Sequence, residues 1–123
     1  LFKILWKIDM KDCLFCNVVN GSIPAKVVLE TDTILAFEDI QPQAPVHVLI
    51  IPKKHIASIN DIEDKDKEVC GEMLLAAKKL AEMLGIKDSG YRTIFNTNED
   101  GGQTVYHIHM HLLGGRKLKW PPG

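Results

Sequence analysis

The chain has 123 residues, 46% of them hydrophobic and 25% charged, which suits one domain with a buried core and excludes a disordered tail. Lys and Arg number 15 against 16 Asp and Glu, a net charge of −1, so a broad basic field for a nucleic acid polymer is excluded. No run of about 18 apolar residues is present, so no membrane-spanning helix is expected.

Residues 1–9 carry Lys3, Lys7 and Asp9 among their apolar positions, unlike a secretory signal. Met10 reads as a natural start. Residues 1–9 are therefore expected to be an added leader or a disordered N-terminus, and residues 10–123 a single domain. Cys13 and Cys16 form a C-x-x-C pair, and Cys70 stands alone in a helical pattern. A chain this long can fold without disulfide staples, which points to reduced thiols in the cytoplasm. Cys70 fits a small core residue.

Residues 23–30 and 33–38 read as a hairpin broken at Thr31-Asp32. Residues 39–45 hold Pro42 and Pro45 and form a rigid loop. Residues 46–51 (VHVLII) are a β-branched strand that Pro52 stops. Lys53 and Lys54 suit a solvated strand end. The acidic run from Asp61 to Glu68 opens a helix, with Asp61 or Asp64 as its cap. Along that helix Val69, Met73, Ala76, Ala77, Leu80 and Leu84 recur at helical spacing, and Gly85 ends it. Residues 91–96 form a strand, 97–103 a polar loop and 105–112 a last strand. The class is α+β.

His107, His109 and His111 alternate with Ile108, Met110 and Leu112. On a strand the three imidazoles share one face, about 6.5 Å apart, and the apolar residues share the other. A neutral imidazole can attack phosphorus or an acyl carbon. The adjacent Gly101-Gly102-Gln103-Thr104 offers amides and a hydroxyl to an anion. Phosphoryl or nucleotidyl transfer follows as one reading. A metal held by alternating histidines is the other. Asp39, just after a strand, suits a vicinal diol. Phe15 and Phe37 suit either a base-stacking wall or core.

The segment from Gln103 to Leu113 resembles the histidine-triad (HIT) motif, in which three histidines alternate with apolar residues. Ile23-Pro24-Ala25-Lys26, Leu35–Ile40, Pro42–Pro45, Ile51–His55 and Trp120-Pro121-Pro122-Gly123 are similar to the Hint branch of that family, the nucleoside phosphoramidases. Thr104 stands where Ser is usual and keeps the hydroxyl. The resemblance implies a five-stranded antiparallel sheet with one long and one short helix, paired in a homodimer into ten strands. It also implies a hydrolase that splits P–N bonds of purine nucleoside phosphoramidates and releases the nucleoside monophosphate. Its relatives include dinucleoside polyphosphate hydrolases and nucleotide-binding regulatory modules, which stand as alternatives. By position, His109 would be the nucleophile, His107 its support and His111 a phosphate contact. Gly102, Gln103, Thr104 and Asn96 would hold phosphate, with Thr104 also helping to protonate the leaving amine. Asp39 would take the ribose, and Leu14, Phe15, Phe37 and Ile40 the base. Trp120 would reach the partner subunit. No cofactor is needed for that chemistry. Similar bacterial proteins pair two cysteines with two histidines around a structural zinc, here Cys13, Cys16, His55 and His107.

Overall fold

The computed structural model describes residues 12–123. The expectation for residues 1–9 lies outside the described residues. Strands β1 (Val27–Glu30), β2 (Ile34–Glu38), β3 (Val46–Pro52), β4 (Tyr91–Ile94) and β5 (Met110–Gly114) form one antiparallel sheet in the order β1-β2-β3-β5-β4. A short helix α1 (Leu14–Val19) precedes it, and the long helix α2 (Lys67–Met83) follows β3.

The parity of side chains along each strand assigns the two faces. Ile34, Ala36, Val48, Ile50, Met110 and Leu112 face α2, whose Met73, Ala76, Ala77, Leu80 and Ala81 close the main core. Full burial of a Leu or Ile side chain contributes roughly 1.5–3 kcal/mol, so this interface holds α2 in place. On the opposite face Leu35, Phe37, Leu49 and Ile51 pack against Phe15 and Val18 of α1. Phe37, Leu49 and His111 lie opposite one another across three strands, which puts His111 on the α1 face.

Three sequence expectations are corrected. Neither Asp61 nor Asp64 caps α2. Both lie in short 3-10 turns, and the helix starts at Lys67 behind Asp66. The buried Asp66 carboxylate accepts from the Glu63 N–H at 2.9 Å and from Lys54 at 2.5 Å. Lys54 is therefore tied to the helix start, and Lys53 pairs with Glu30 at 2.7 Å. The last strand starts at Met110, not Val105. Pro52 has no N–H to continue the ladder, and the Ile108 N–H goes instead to the Ile56 carbonyl at 2.6 Å. The loop at 97–103 contains a single helical turn, α3 (Asn98–Gly101), closed by Gly102 at φ 83°. Without a Cβ, glycine takes this left-handed conformation at little cost.

Candidate active site

The three histidines stand on the α1 side of the sheet, but they meet different surroundings. His107 is fully buried and His109 is 8% exposed, while His111 is half-buried. A cavity of about 380 Å³ opens over His109 and His111. Leu14, Phe15, Phe37 and Ile40 supply apolar wall, and Asp39 and Thr104 add polar groups to the lining. A wider groove of about 490 Å³ beside α2 contains no histidine.

Hydrogen bonds fix the tautomers. A neutral imidazole has one donor and one acceptor nitrogen. His109 Nδ1 lies 2.8 Å from the His107 carbonyl, which can only accept, so Nδ1 carries the proton. Nε2 of His109 is left with a lone pair. The Gln43 N–H donates to His47 Nδ1 at 3.0 Å, so the proton of His47 is on Nε2. That proton points to His111 Nδ1, 2.9 Å away. His111 must then hold its own proton on Nε2, a donor with no partner among the described residues. Asp39 Oδ2 lies 3.4 Å from His47 Nε2, and Asp39 Oδ1 accepts from the Gln41 N–H at 2.8 Å.

Burial keeps these rings neutral. It lowers His109 and His47 below the usual 6.5. Burial, with the neighbouring His109 and His47, brings His111 down to about 4 against the opposing pull of Asp39. A neutral His109 at pH 7 is what a nucleophile requires.

The anion loop is narrower than its sequence suggests. Gly102 N–H and Gln103 N–H are used to close α3, on the Glu99 and Asn98 carbonyls. The Gln103 amide oxygen accepts from the Asn98 N–H, and its nitrogen donates to the Ala57 and Val105 carbonyls. Gly102, Gln103 and Asn96 do not line the cavity. Thr104 does, and neither its N–H nor its hydroxyl has a hydrogen-bond partner among the described residues. Trp120 is 81% exposed and also lies away from the cavity.

Beneath His109 a second cluster gathers Cys13, Cys16, His55 and His107, whose donor atoms lie within 4.8 Å of one another. His107 Nε2–H donates to the Pro52 carbonyl at 2.8 Å, which frees Nδ1. That nitrogen lies 3.4 Å from Cys13 Sγ, 3.5 Å from Cys16 Sγ and 3.3 Å from His55 Nδ1. Cys16 Sγ lies 3.3 Å from His55 Nδ1. A tetrahedral ion with bonds of about 2.3 Å to sulfur and about 2.0 Å to nitrogen needs S···N edges near about 3.5 Å and N···N edges near about 3.3 Å. The donors fit such an ion. Burial, then Cys13, pushes the Cys16 thiol up to about 12, and burial, with His55 and His109 adding, lowers His107 to about 4. Asp39, His47 and His111 also sit within 4.8 Å, but the proton on His47 Nε2 unsuits that group for a metal.

His47 is the site residue that sequence reasoning missed. It was legible in one signal: His47 shares strand parity with Leu49 and Ile51, which pack on the α1 face.

The profile of the HIT domain family matches residues 20–118. The chain is 48% identical over 108 residues to the purine nucleoside phosphoramidase of Escherichia coli K12, covering 88% of this chain and 91% of that protein. A HIT family hydrolase from Legionella pneumophila superposes with a TM-score of 0.89 at 61% identity, over 90% of this chain and 99% of that one. A histidine triad nucleotide-binding protein from Candida albicans does so with a TM-score of 0.76 at 35% identity, over 89% and 82% of the two chains. With its family profile, its sheet and its three alternating histidines in agreement, this chain belongs to the HIT domain family.

Proposed function

We propose that the chain hydrolyses the P–N bond of purine nucleoside 5′-monophosphoramidates through a nucleotidyl-His109 intermediate. One observation carries this reading: His109 Nδ1–H is locked on the His107 carbonyl, which leaves Nε2 as a lone pair at a cavity. The name of the Escherichia coli relative supports the same bond class.

In this mechanism Nε2 attacks phosphorus, a P–N bond forms to the ring, and the substrate P–N bond breaks. The departing amine takes a proton delivered at the Thr104 hydroxyl. The positive charge on the ring is stabilised by the His107 carbonyl through Nδ1–H. Water then adds to phosphorus and returns a proton to the Thr104 hydroxyl, the bond to Nε2 breaks, and the nucleoside monophosphate leaves. His111 Nε2–H and the Thr104 N–H hold the phosphoryl oxygens as charge develops. Gly102, Gln103 and Asn96 lie outside the cavity lining, and Gly102 and Gln103 close the turn that precedes Thr104. Asp39 takes the ribose diol, and Leu14, Phe15, Phe37 and Ile40 flank the base.

Cys13, Cys16, His55 and His107 hold a zinc ion in this reading, and the reaction itself needs no cofactor. Bound there, zinc would supply positive charge that favours the thiolate forms of Cys13 and Cys16. Two copies pair through β4, an edge strand, so that the sheet continues to ten strands and Trp120 meets the partner. The cysteines are free, which suits a reducing cytoplasm. Among the described residues no helix is long and apolar enough to cross a membrane.

The test is incubation with an adenosine 5′-phosphoramidate, quenched early and analysed by peptide mass spectrometry. A nucleotidyl adduct on His109 and release of AMP are expected. Faster cleavage of a diadenosine polyphosphate would assign the chain to that hydrolase class instead. Tight AMP binding without turnover of either substrate would leave a regulatory module.

A further inference from the structure

The four-residue Cys/His cluster is built into the catalytic pocket at two points. The first is His107. Its ring holds the cluster at Nδ1 and the Pro52 carbonyl at Nε2, while its main-chain carbonyl receives the His109 Nδ1–H. The second is Phe15, which lies between the two cysteines in sequence. Cys13 caps α1 by accepting the Cys16 N–H at 3.3 Å. The Phe15 ring stands edge-on to His109, with centroids 5.1 Å apart and planes at 90°. It also meets Phe37 at 5.4 Å and lines the cavity. Helix α1 has only six residues, and a helix that short does not persist without tertiary ties. Its thiols therefore fasten the pocket wall as well as the sheet.

We propose that Cys13, Cys16 and His55 are positioning residues for the nucleophile. By gripping a metal ion together with His107, they hold the Phe15 wall against His109 and keep the carbonyl that orients its ring in place. This assigns the cluster a part in the reaction geometry, whereas the family resemblance leaves the metal dispensable for chemistry. The inference rests on the zinc reading throughout, and on the phosphoramidase reading only for its kinetic readout. The positioning of His109 is measured separately.

His55 is the ligand to alter, because it lies outside the cavity and outside α1. Three proteins are compared: the natural chain, His55→Ala and His55→Cys, which retains a fourth donor. Metal content, AMP affinity, kcat and the exchange rate of the His109 Nδ1–H proton seen by NMR are read on each. The natural chain should hold one metal ion and a slowly exchanging proton. His55→Ala should lose the metal, exchange that proton fast, bind AMP about tenfold more weakly and lose about tenfold in kcat. His55→Cys should restore all four. A metal-free His55→Ala protein with unchanged proton protection and AMP affinity overturns the proposal, as does a natural chain that takes up no zinc. If His55→Ala also loses amide protection in α2, the readouts are taken on the natural chain stripped by a chelator while α2 stays protected. Unchanged values there overturn the proposal as well. Absence of phosphoramidate turnover in the natural chain, with the exchange and AMP effects intact, sinks the enzymatic reading and leaves the positioning role standing.

Discussion

His47 Nε2 donates to His111 Nδ1 across 2.9 Å, and this bond decides which face of the His111 ring presents a proton to the cavity. Replacing His47 by Phe removes the donor and leaves the tautomer of His111 unset. The lost hydrogen bond is worth about 1 kcal/mol, or roughly fivefold to tenfold in rate. The expected result is a fall of that size in kcat/KM on an adenosine phosphoramidate. Gln at position 47 keeps a donor and should lose less. Equal activity in the natural chain and His47→Phe would remove His47 from the site.

Substitution of His109 by Ala removes the attacking nitrogen while leaving the cavity walls in place. Turnover should drop by about three orders of magnitude or more. AMP binding, measured by calorimetry, should persist. Retained turnover would show that another group attacks phosphorus.

The pH response follows from the buried rings. His111 is lowered from 6.5 to about 4 by burial, His109 and His47. Between those values the unfolded chain binds more protons at this residue than the folded chain. Its contribution to stability is therefore complete above about pH 6.5 and lost as pH falls toward 4. Urea midpoints should decline across that window, and His111→Asn should flatten the decline. Because burial also lowers His109, the acid limb of kcat/KM should lie below 6.5. An acid limb at or above 6.5 contradicts a buried, neutral nucleophile.

Gly114 ends β5 where Ile86 presses against the strand. A Cβ there would stand 2.6 Å from Ile86 Cδ1 and 3.2 Å from its Cβ. Ile86 is buried, so it has little room to yield. Gly114→Ala should cost about 1–3 kcal/mol by denaturant titration. The Michaelis constant should change little, since Gly114 does not line the cavity.

Metal content tests the zinc reading of the cysteine pair. Protein grown without added zinc should carry about one ion per chain, and Cys16→Ser should carry much less by atomic emission. Equal content in the two would dismiss the site.

The side of His111, opposite to Met110 and Leu112, was legible because strand geometry has a period of two; His107 and His109 precede the strand and still meet Phe15 of α1. The α2 face was legible because its apolar residues repeat at helical spacing. The family motif pointed to His109, Thr104 and the four cluster residues, which the structure places at the cavity and in one Cys/His cluster, since each sits at a fixed offset from a recognisable segment. Tertiary structure decided what contact alone can decide. His47 joins His111 because β3 and β5 pair in one register, and a hydrogen bond across 64 positions leaves no local pattern. The Gly102 and Gln103 N–H groups are taken by the Glu99 and Asn98 carbonyls, because they close a helical turn that the polar loop did not announce. Asp66 replaces Asp61 and Asp64 at the start of α2, where Lys54, two residues past β3, pairs with it. Periodicity reports which side a residue faces; only the folded chain shows which partner has already taken its hydrogen bonds.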